Sequence, residues 1–286
     1  MDPEAPRHVA LIVSYHGGAY SGFQHQPGRD TIQGRLERAL SDLAGEPVAI
    51  RAAGRTDAGV HAAGQVVDAW LPPSVRAGVT RLPLALAARL PADIAVAGAW
   101  GVGPTFHARF SAAGKRYRYL IWRPGTASPF WRPFAWHYKG PLDVAAMAAA
   151  ARLLEGRRDL TAFAGAARAV KDATRTVRSC RVYASGPWVA LDVEADGFLY
   201  RMVRSMAGTL WRVGTGALTA CEMDRLVAQR RRDQAGPSLP PHGLCLLRVR
   251  YPPEHGLPLP GDAAWPGAPG PACPADPFLD AHQADQ

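Results

Sequence analysis

The run Gly54-Arg55-Thr56-Asp57-Ala58-Gly59-Val60-His61-Ala62 sets a carboxylate two residues from a guanidinium, between two glycines. Glycine lets a backbone turn tightly and approach a ligand closely, so this loop can present Asp57 as a nucleophile with Arg55 as its neighbouring cation. The same residues can form a β-turn in which the Asp57 carboxylate accepts from nearby backbone amides, and spacing alone does not separate the two readings. Further along, Lys115-Arg116-Tyr117-Arg118-Tyr119 alternates as a strand does, placing 115, 117 and 119 on one face. One of these tyrosines could stack on a flat ligand; strand tyrosines also serve as cross-strand packing. Arg204 falls opposite the apolar face of an amphipathic helix, in a polar stripe with Arg201 and Arg212, and reads as part of a solvated basic face. His61 and His107 read as structural hydrogen-bonding groups.

The elements that must position these residues are legible from periodicity. His8 to Tyr15 predicts a buried strand running into a Gly17-Gly18 loop. Asp30 or Thr31 can cap a helix carrying Ile32, Leu36, Leu40 and Leu43 at helical spacing, which Gly45 ends. Strand pattern resumes at Val48 and again over Gln65 to Trp70; a short helix over Leu82 to Leu90 and a strand over Ile94 to Trp100 follow. That order is β-α-β-β-α-β. It repeats with a strand over Arg116 to Trp122 and a helix from the Asp143 cap to Leu154, stopped by Gly156. A hairpin of Val177 to Tyr183 and Trp188 to Glu194 comes next. A helix bearing Leu199, Val203, Met206, Leu210 and Val213 on one face follows, then an extra helix over Glu222 to Arg231 and a closing strand over Leu244 to Val249. The expectation is a mixed α/β (α+β) fold of two ferredoxin-like halves. Residues 1–105 form the first and 106–251 the second, followed by a Pro/Gly-rich tail at 252–286 expected to be disordered or draped.

The chain has 286 residues, long enough for a sizeable core, with 48% hydrophobic and 20% charged residues. Lys and Arg number 33 against 24 Asp and Glu, a net charge of +9, which fits a polyanionic partner. Arg109, Arg116, Arg118, Arg152, Arg157, Arg158, Arg168, Lys171, Arg175 and Arg178 are candidate phosphate contacts. Cys180, Cys221, Cys245 and Cys273 are scattered without metal-ligand or disulfide-framework spacing. No signal pattern opens the chain and no apolar run is long enough to span a bilayer, so a cytoplasmic protein is expected.

The 54–62 run, followed by Gly64-Gln65-Val66-Val67, resembles the active-site loop of the TruA family of tRNA pseudouridine synthases. The likeness continues through Tyr15-His16-Gly17, Phe106-His107-Ala108-Arg109-Phe110-Ser111, the strand at 115–119, Met202-Val203-Arg204 and Gly243-Leu244. What the resemblance implies is an isomerase that converts uridine to pseudouridine in the tRNA anticodon stem-loop, at positions 38, 39 and 40, without a cofactor. It implies two halves joining their sheets around one cleft, with Asp57 as nucleophile and Arg204 ion-paired to it. Tyr117 would stack on the base and take a proton from ring carbon, leaving Tyr119 to packing. Arg55 would help displace the target base and hold RNA, and Leu244 would pack on the uracil's other side. The family also works as a homodimer in which one tRNA crosses both subunits. The sequence departs from the family pattern at His16, where Asp is usual, at Phe23, where Trp is usual, and at Ser205, where Asn is usual. Two other functions compete: a non-catalytic tandem RNA-binding module, and a carboxylate hydrolase, which needs a second positioned acid. Asp68 is the nearest carboxylate in sequence, and strand alternation does not bring it to Asp57.

Overall fold

The structure is a computed structural model that describes residues 6–165 and 172–257. Arg168, Lys171 and most of the 252–286 tail lie outside the described residues. The chain begins with β1 (Arg7–Tyr15), α1 (Ile32–Ala44), β2 (Ile50–Ala52), β3 (His61–Leu71), α2 (Leu82–Ala87) and β4 (Ile94–Gly101). The second half runs β5 (Gly114–Trp122), β6 (Trp136–His137), α3 (Val144–Arg152), β7 (Gly156–Asp159), β8 (Thr174–Ser185) and β9 (Trp188–Ala195). It closes with α4 (Met202–Gly214), α5 (Ala220–Ala228) and β10 (Leu244–Arg250).

The strands order as β4-β1-β3-β10-β5-β9-β8-β7, with β2 paired to β3 and β6 to β5. Read half by half, β4-β1-β3-β2 and β10-β5-β9-β8 are the same ferredoxin-like order, so the two expected halves are present in one sheet. Its ladders are antiparallel apart from β5–β6 and the seam, where Cys245 and Leu246 of β10 pair in parallel with His61 and Ala62 of β3. That seam lies four residues beyond Asp57, so the loop bearing the carboxylate opens where the halves meet.

Local chemistry explains most elements. The Thr31 hydroxyl accepts from the Gly34 N–H at the start of α1, and Gly45, at φ 76°, closes it in the left-handed conformation. The buried side of α1 presents Leu36 and Leu40, each worth about 1.5 to 3 kcal/mol when fully buried. Val9, Leu11 and Val13 of β1 are fully buried as well.

Where the structure differs from expectation, tertiary contact is the cause. β3 starts at His61 rather than Gln65 because β10 supplies a partner for its first residues. α4 starts at Met202, leaving Leu199 in the preceding loop, because Arg201 takes φ 58°. Gly156 does not cap α3 but opens β7 at φ 94°. β7 is a polar edge strand, Gly-Arg-Arg-Asp, and carries no apolar alternation to announce it. α5 runs Ala220–Ala228, starting two residues before the expected Glu222 because a Thr219–Glu222 capping box sets its first turn.

Candidate active site

The loop from Gly54 to Val60 is held by its backbone and by neighbours, which leaves the Asp57 carboxylate available. The buried Gln65 amide donates to the Gly54 carbonyl at 2.8 Å, and the Phe23 N–H donates to the Thr56 carbonyl at 3.1 Å. The Tyr15 and Thr56 hydroxyls are bonded at 2.8 Å. The Val60 N–H closes the turn on the Asp57 carbonyl at 3.1 Å, and Gly59 takes φ 80°, a conformation that favours glycine. Among the described residues, no amide of the loop donates to the carboxylate. Arg204 Nη1 donates to Asp57 Oδ2 at 3.0 Å, across 147 residues of sequence.

Arg204 is therefore not on a solvated face, as the helical stripe predicts. It is buried, 8% exposed, because residues up to Leu239 pack over that side of α4. Its Nε donates to the Leu239 carbonyl at 2.7 Å, which fixes the guanidinium before it reaches Asp57. A charge-assisted pair of this kind orients the carboxylate. Arg201, at the edge of the same helix, is exposed.

Asp57 lines a cleft of about 950 Å³ together with Arg55, Tyr117, Leu244, Phe198 and Lys115. The structure thus brings Asp57, Arg55, Tyr117 and Leu244 to one cavity, with Arg204 behind the carboxylate. Tyr117 and Leu244 are buried and Arg55 is exposed. The Tyr117 ring meets Phe198 edge-on at 4.8 Å. Burial, then the neighbouring Tyr15 and Asp57, push the Tyr117 phenol's pKa far up, so it stays protonated. Tyr119 is fully buried and its hydroxyl donates to the Pro240 carbonyl at 2.9 Å, a packing role.

At the cleft's rim, exposed aromatic rings carry arginines. The Arg109 guanidinium lies 5.5 Å from the centre of the Phe110 ring and that of Arg201 lies 5.0 Å from the Tyr200 ring. Phe198, Tyr200 and Lys115 were not singled out from sequence as site residues; strand alternation, which puts Lys115 on the Tyr117 face, is the signal that could have found the last. Among the candidate phosphate contacts, Arg109 and Arg175 line the cleft and Arg152 and Arg157 are exposed. Arg116 and Arg118 are instead held by Asp192: the Arg118 Nε donates to its Oδ1 at 2.7 Å, with Arg116 on Oδ2. Burial pushes the Asp192 pKa up, but the two guanidiniums outweigh it and hold it below the usual carboxylate range. Arg158 pairs with Asp224 at 2.6 Å, and Arg178 stands 4.0 Å from Glu194.

Asp68 is fully buried, accepting from Arg51, from the Ala108 N–H at 2.8 Å and standing 2.9 Å from His8 Nε2. It is far from serving as a second acid. The cleft's other carboxylate is Asp196, which the sequence reading passed over; its oxygens accept from the Thr176 N–H at 3.0 and 3.1 Å. His16 packs its ring against His61 and Phe134, Phe23 is buried beside Tyr15, and Ser205 bonds Ser238 at 2.8 Å. His107 Nδ1 accepts from the Arg109 N–H. Among the described residues no cluster of three or more His, Cys, Asp or Glu side chains is placed to hold a metal ion.

A family model described as tRNA pseudouridine synthase matches residues 11–111 and 150–252, more than half of the chain. The chain belongs to the tRNA pseudouridine synthase family. The tRNA pseudouridine synthase A of Moorella thermoacetica is 45% identical over 245 residues, covering 85% of this chain and 99% of that relative. The enzyme of the same name from Shouchella clausii is 43% identical, over 85% of this chain and 93% of its own. That of Syntrophotalea carbinolica is 42% identical, over 86% of this chain and 97% of its own. Among solved structures, a Cbf5-Nop10-Gar1 complex aligns with 75% of this chain and 46% of that chain, at 16% identity and a TM-score of 0.36, too low to bear on the argument. The family match contains Arg55, Asp57, Arg204 and Leu244, while Tyr117 falls between its two spans.

Proposed function

We propose that this synthase isomerises uridine to pseudouridine in tRNA, with Asp57 as the nucleophile. The reaction breaks the N1–C1′ glycosidic bond, turns the uracil, and joins its C5 to C1′; the C5 proton leaves and N1 gains one. It neither oxidises nor hydrolyses. Asp57 attacks either the ring or the sugar, the uracil cut from C1′ turns inside the cleft, and the bond to the carboxylate breaks again so that Asp57 is regenerated in the product. Tyr117 covers one side of the base and Leu244 the other, while Arg55 takes the place of the extruded nucleotide.

The observation that carries this reading is the ion pair of Arg204 with Asp57, at 3.0 Å, inside a large cleft. It gives an oriented carboxylate to which, among the described residues, no backbone amide of its own turn donates. The aromatic and arginine rim supports a nucleic-acid substrate, since bases stack on such rings and phosphates pair with such cations. The remaining expectations belong to the same proposal: an anticodon stem-loop target, a homodimer, a cytoplasmic location, and a chain divided at 105/106 with a tail from 252. Among the described residues, no helix is long and apolar enough to cross a membrane.

The test is Asp57→Asn, which keeps the side chain's shape and removes its charge. The variant is expected to bind an unmodified tRNA transcript while forming no pseudouridine, as mapped on the RNA after incubation. Pseudouridine made by a clean preparation would remove Asp57 as nucleophile. A wild-type protein that binds the transcript but modifies nothing would favour the tandem RNA-binding module.

A further inference from the structure

Lys115 lies on β5 two residues before Tyr117 and lines the same cleft. Its side chain runs beneath the catalytic loop: a Cβ added at Gly54 would meet Lys115 Nζ at 3.1 Å, three residues before Asp57. Among the described residues its ammonium makes no hydrogen bond and no ion pair. The carboxylates that line the cleft are already engaged, Asp57 by Arg204 and Asp196 by the Thr176 N–H.

The remaining charged groups that line the cleft are cations: Arg109, from the loop before β5, and Arg175, from β8, act on the Lys115 ammonium electrostatically, and Arg55 and Arg201 line the same cleft. Burial, then Arg109 and Arg175, lower its pKa to about 8. A desolvated ammonium among guanidiniums is stabilised by an anion entering the cleft. Uracil and ribose are neutral at that pH, so the anionic group a uridine in RNA brings is its phosphodiester.

We propose that Lys115 binds the phosphodiester of the target nucleotide, fixing its backbone so that the extruded uridine sits over Asp57. The inference rests on reading the cleft as the RNA site, and it makes Lys115 a binding residue for the same reaction. Phosphate binding favours the charged amine, so complex formation takes up a proton above pH 8 and affinity falls as pH rises.

The experiment measures dissociation constants for an unmodified tRNA transcript at constant salt, from pH 7 to pH 9, with Asp57→Asn as the parent so that the RNA is not converted. The parent is expected to lose about 10-fold in affinity over that range, as a group of pKa about 8 deprotonates. Lys115→Met should bind about 10-fold more weakly at pH 7, show less dependence on pH, and lose roughly one phosphate from the salt slope. Lys115→Arg should restore affinity at pH 7 and hold it to pH 9, a rescue that a folding defect would not give. Melting temperatures of the variants keep folding separate from binding. Lys115→Met binding as tightly as its parent, or keeping the parent's pH dependence, would overturn the proposal. So would an unchanged affinity with a slower single-turnover rate when Lys115→Met is placed in the wild-type chain, which would assign Lys115 to the chemistry instead. These readouts are of RNA binding, so absence of pseudouridine formation by the wild type would refute the proposed function and leave this test standing.

Discussion

Tyr117 faces the cleft with its ring edge against Phe198, and at this scale one hydroxyl decides its role. Because burial and the Asp57 charge keep the phenol neutral, it can donate a hydrogen bond or hold a water, and a phenolate acting as base is disfavoured. Tyr117→Phe keeps the aromatic face and removes only that hydroxyl. Its single-turnover rate is expected to fall by about 100-fold to 10,000-fold, the usual loss of acid–base help, with RNA affinity unchanged. Tyr117→Leu removes the platform too and should cost roughly 1 to 3 kcal/mol in binding. Rates, affinities and melting temperatures for both variants check this. A Phe variant as fast as wild type would leave Tyr117 with packing alone.

At the scale of elements, the site depends on how closely α4 meets the segment that follows α5. A Cβ at Gly208 would stand 1.8 Å from the Pro237 carbonyl oxygen, and one at Gly236 would stand 2.3 Å from the Gly208 backbone. Two bare backbones therefore cross here, and this crossing brings Leu239 close enough to accept from Arg204 Nε. Gly208→Ala would force the crossing apart. Overpacking of this kind costs about 1 to 3 kcal/mol or more. We expect a lower melting temperature and, below it, slower pseudouridine formation, because the Arg204 guanidinium loses its fixed approach to Asp57. A variant with wild-type turnover at a reduced melting temperature would show that the crossing serves stability only.

For the whole molecule, His61 ties the halves together at the seam. Its Nδ1 accepts from the Gly17 N–H at 3.1 Å, so the proton sits on Nε2, which donates toward the Pro133 carbonyl at 2.9 Å and the His242 carbonyl at 3.2 Å. Burial, reinforced by the His16 ring, lowers its pKa from 6.5 to about 4. The unfolded chain then binds the extra proton first, so stability is full above pH 6.5 and is lost as pH falls toward 4. A gap of 6.5 − 4 amounts to about 3 kcal/mol, an order-of-magnitude figure. Denaturant unfolding of the wild type and His61→Gln between pH 7 and pH 4 measures it: the difference between them should narrow on acidification, because the variant has no imidazole to protonate. A difference independent of pH would exclude His61 as the source.

The sequence by itself determined the local elements and the loop. A continuous apolar run placed β1, alternation placed β5, a turn between two strand runs placed β8 and β9, the Thr31 and Asp143 caps began α1 and α3, and the glycines around Asp57 marked a turn that could carry a nucleophile. Those signals act over a few residues, where side-chain spacing and backbone preference are enough. Motif resemblance supplied the roles of Arg204 and Leu244. Tertiary structure decided what surrounds each charge. Arg204 looks solvated on a helical wheel and is buried because a segment 35 residues onward covers it. Arg116 and Arg118 look like phosphate contacts and are held by Asp192, paired across from Arg118 on β9. Lys115 looks like any strand lysine until the 54–62 loop folds over it. Burial and partnership depend on chains that meet from distant parts of the sequence, and local spacing holds no record of them.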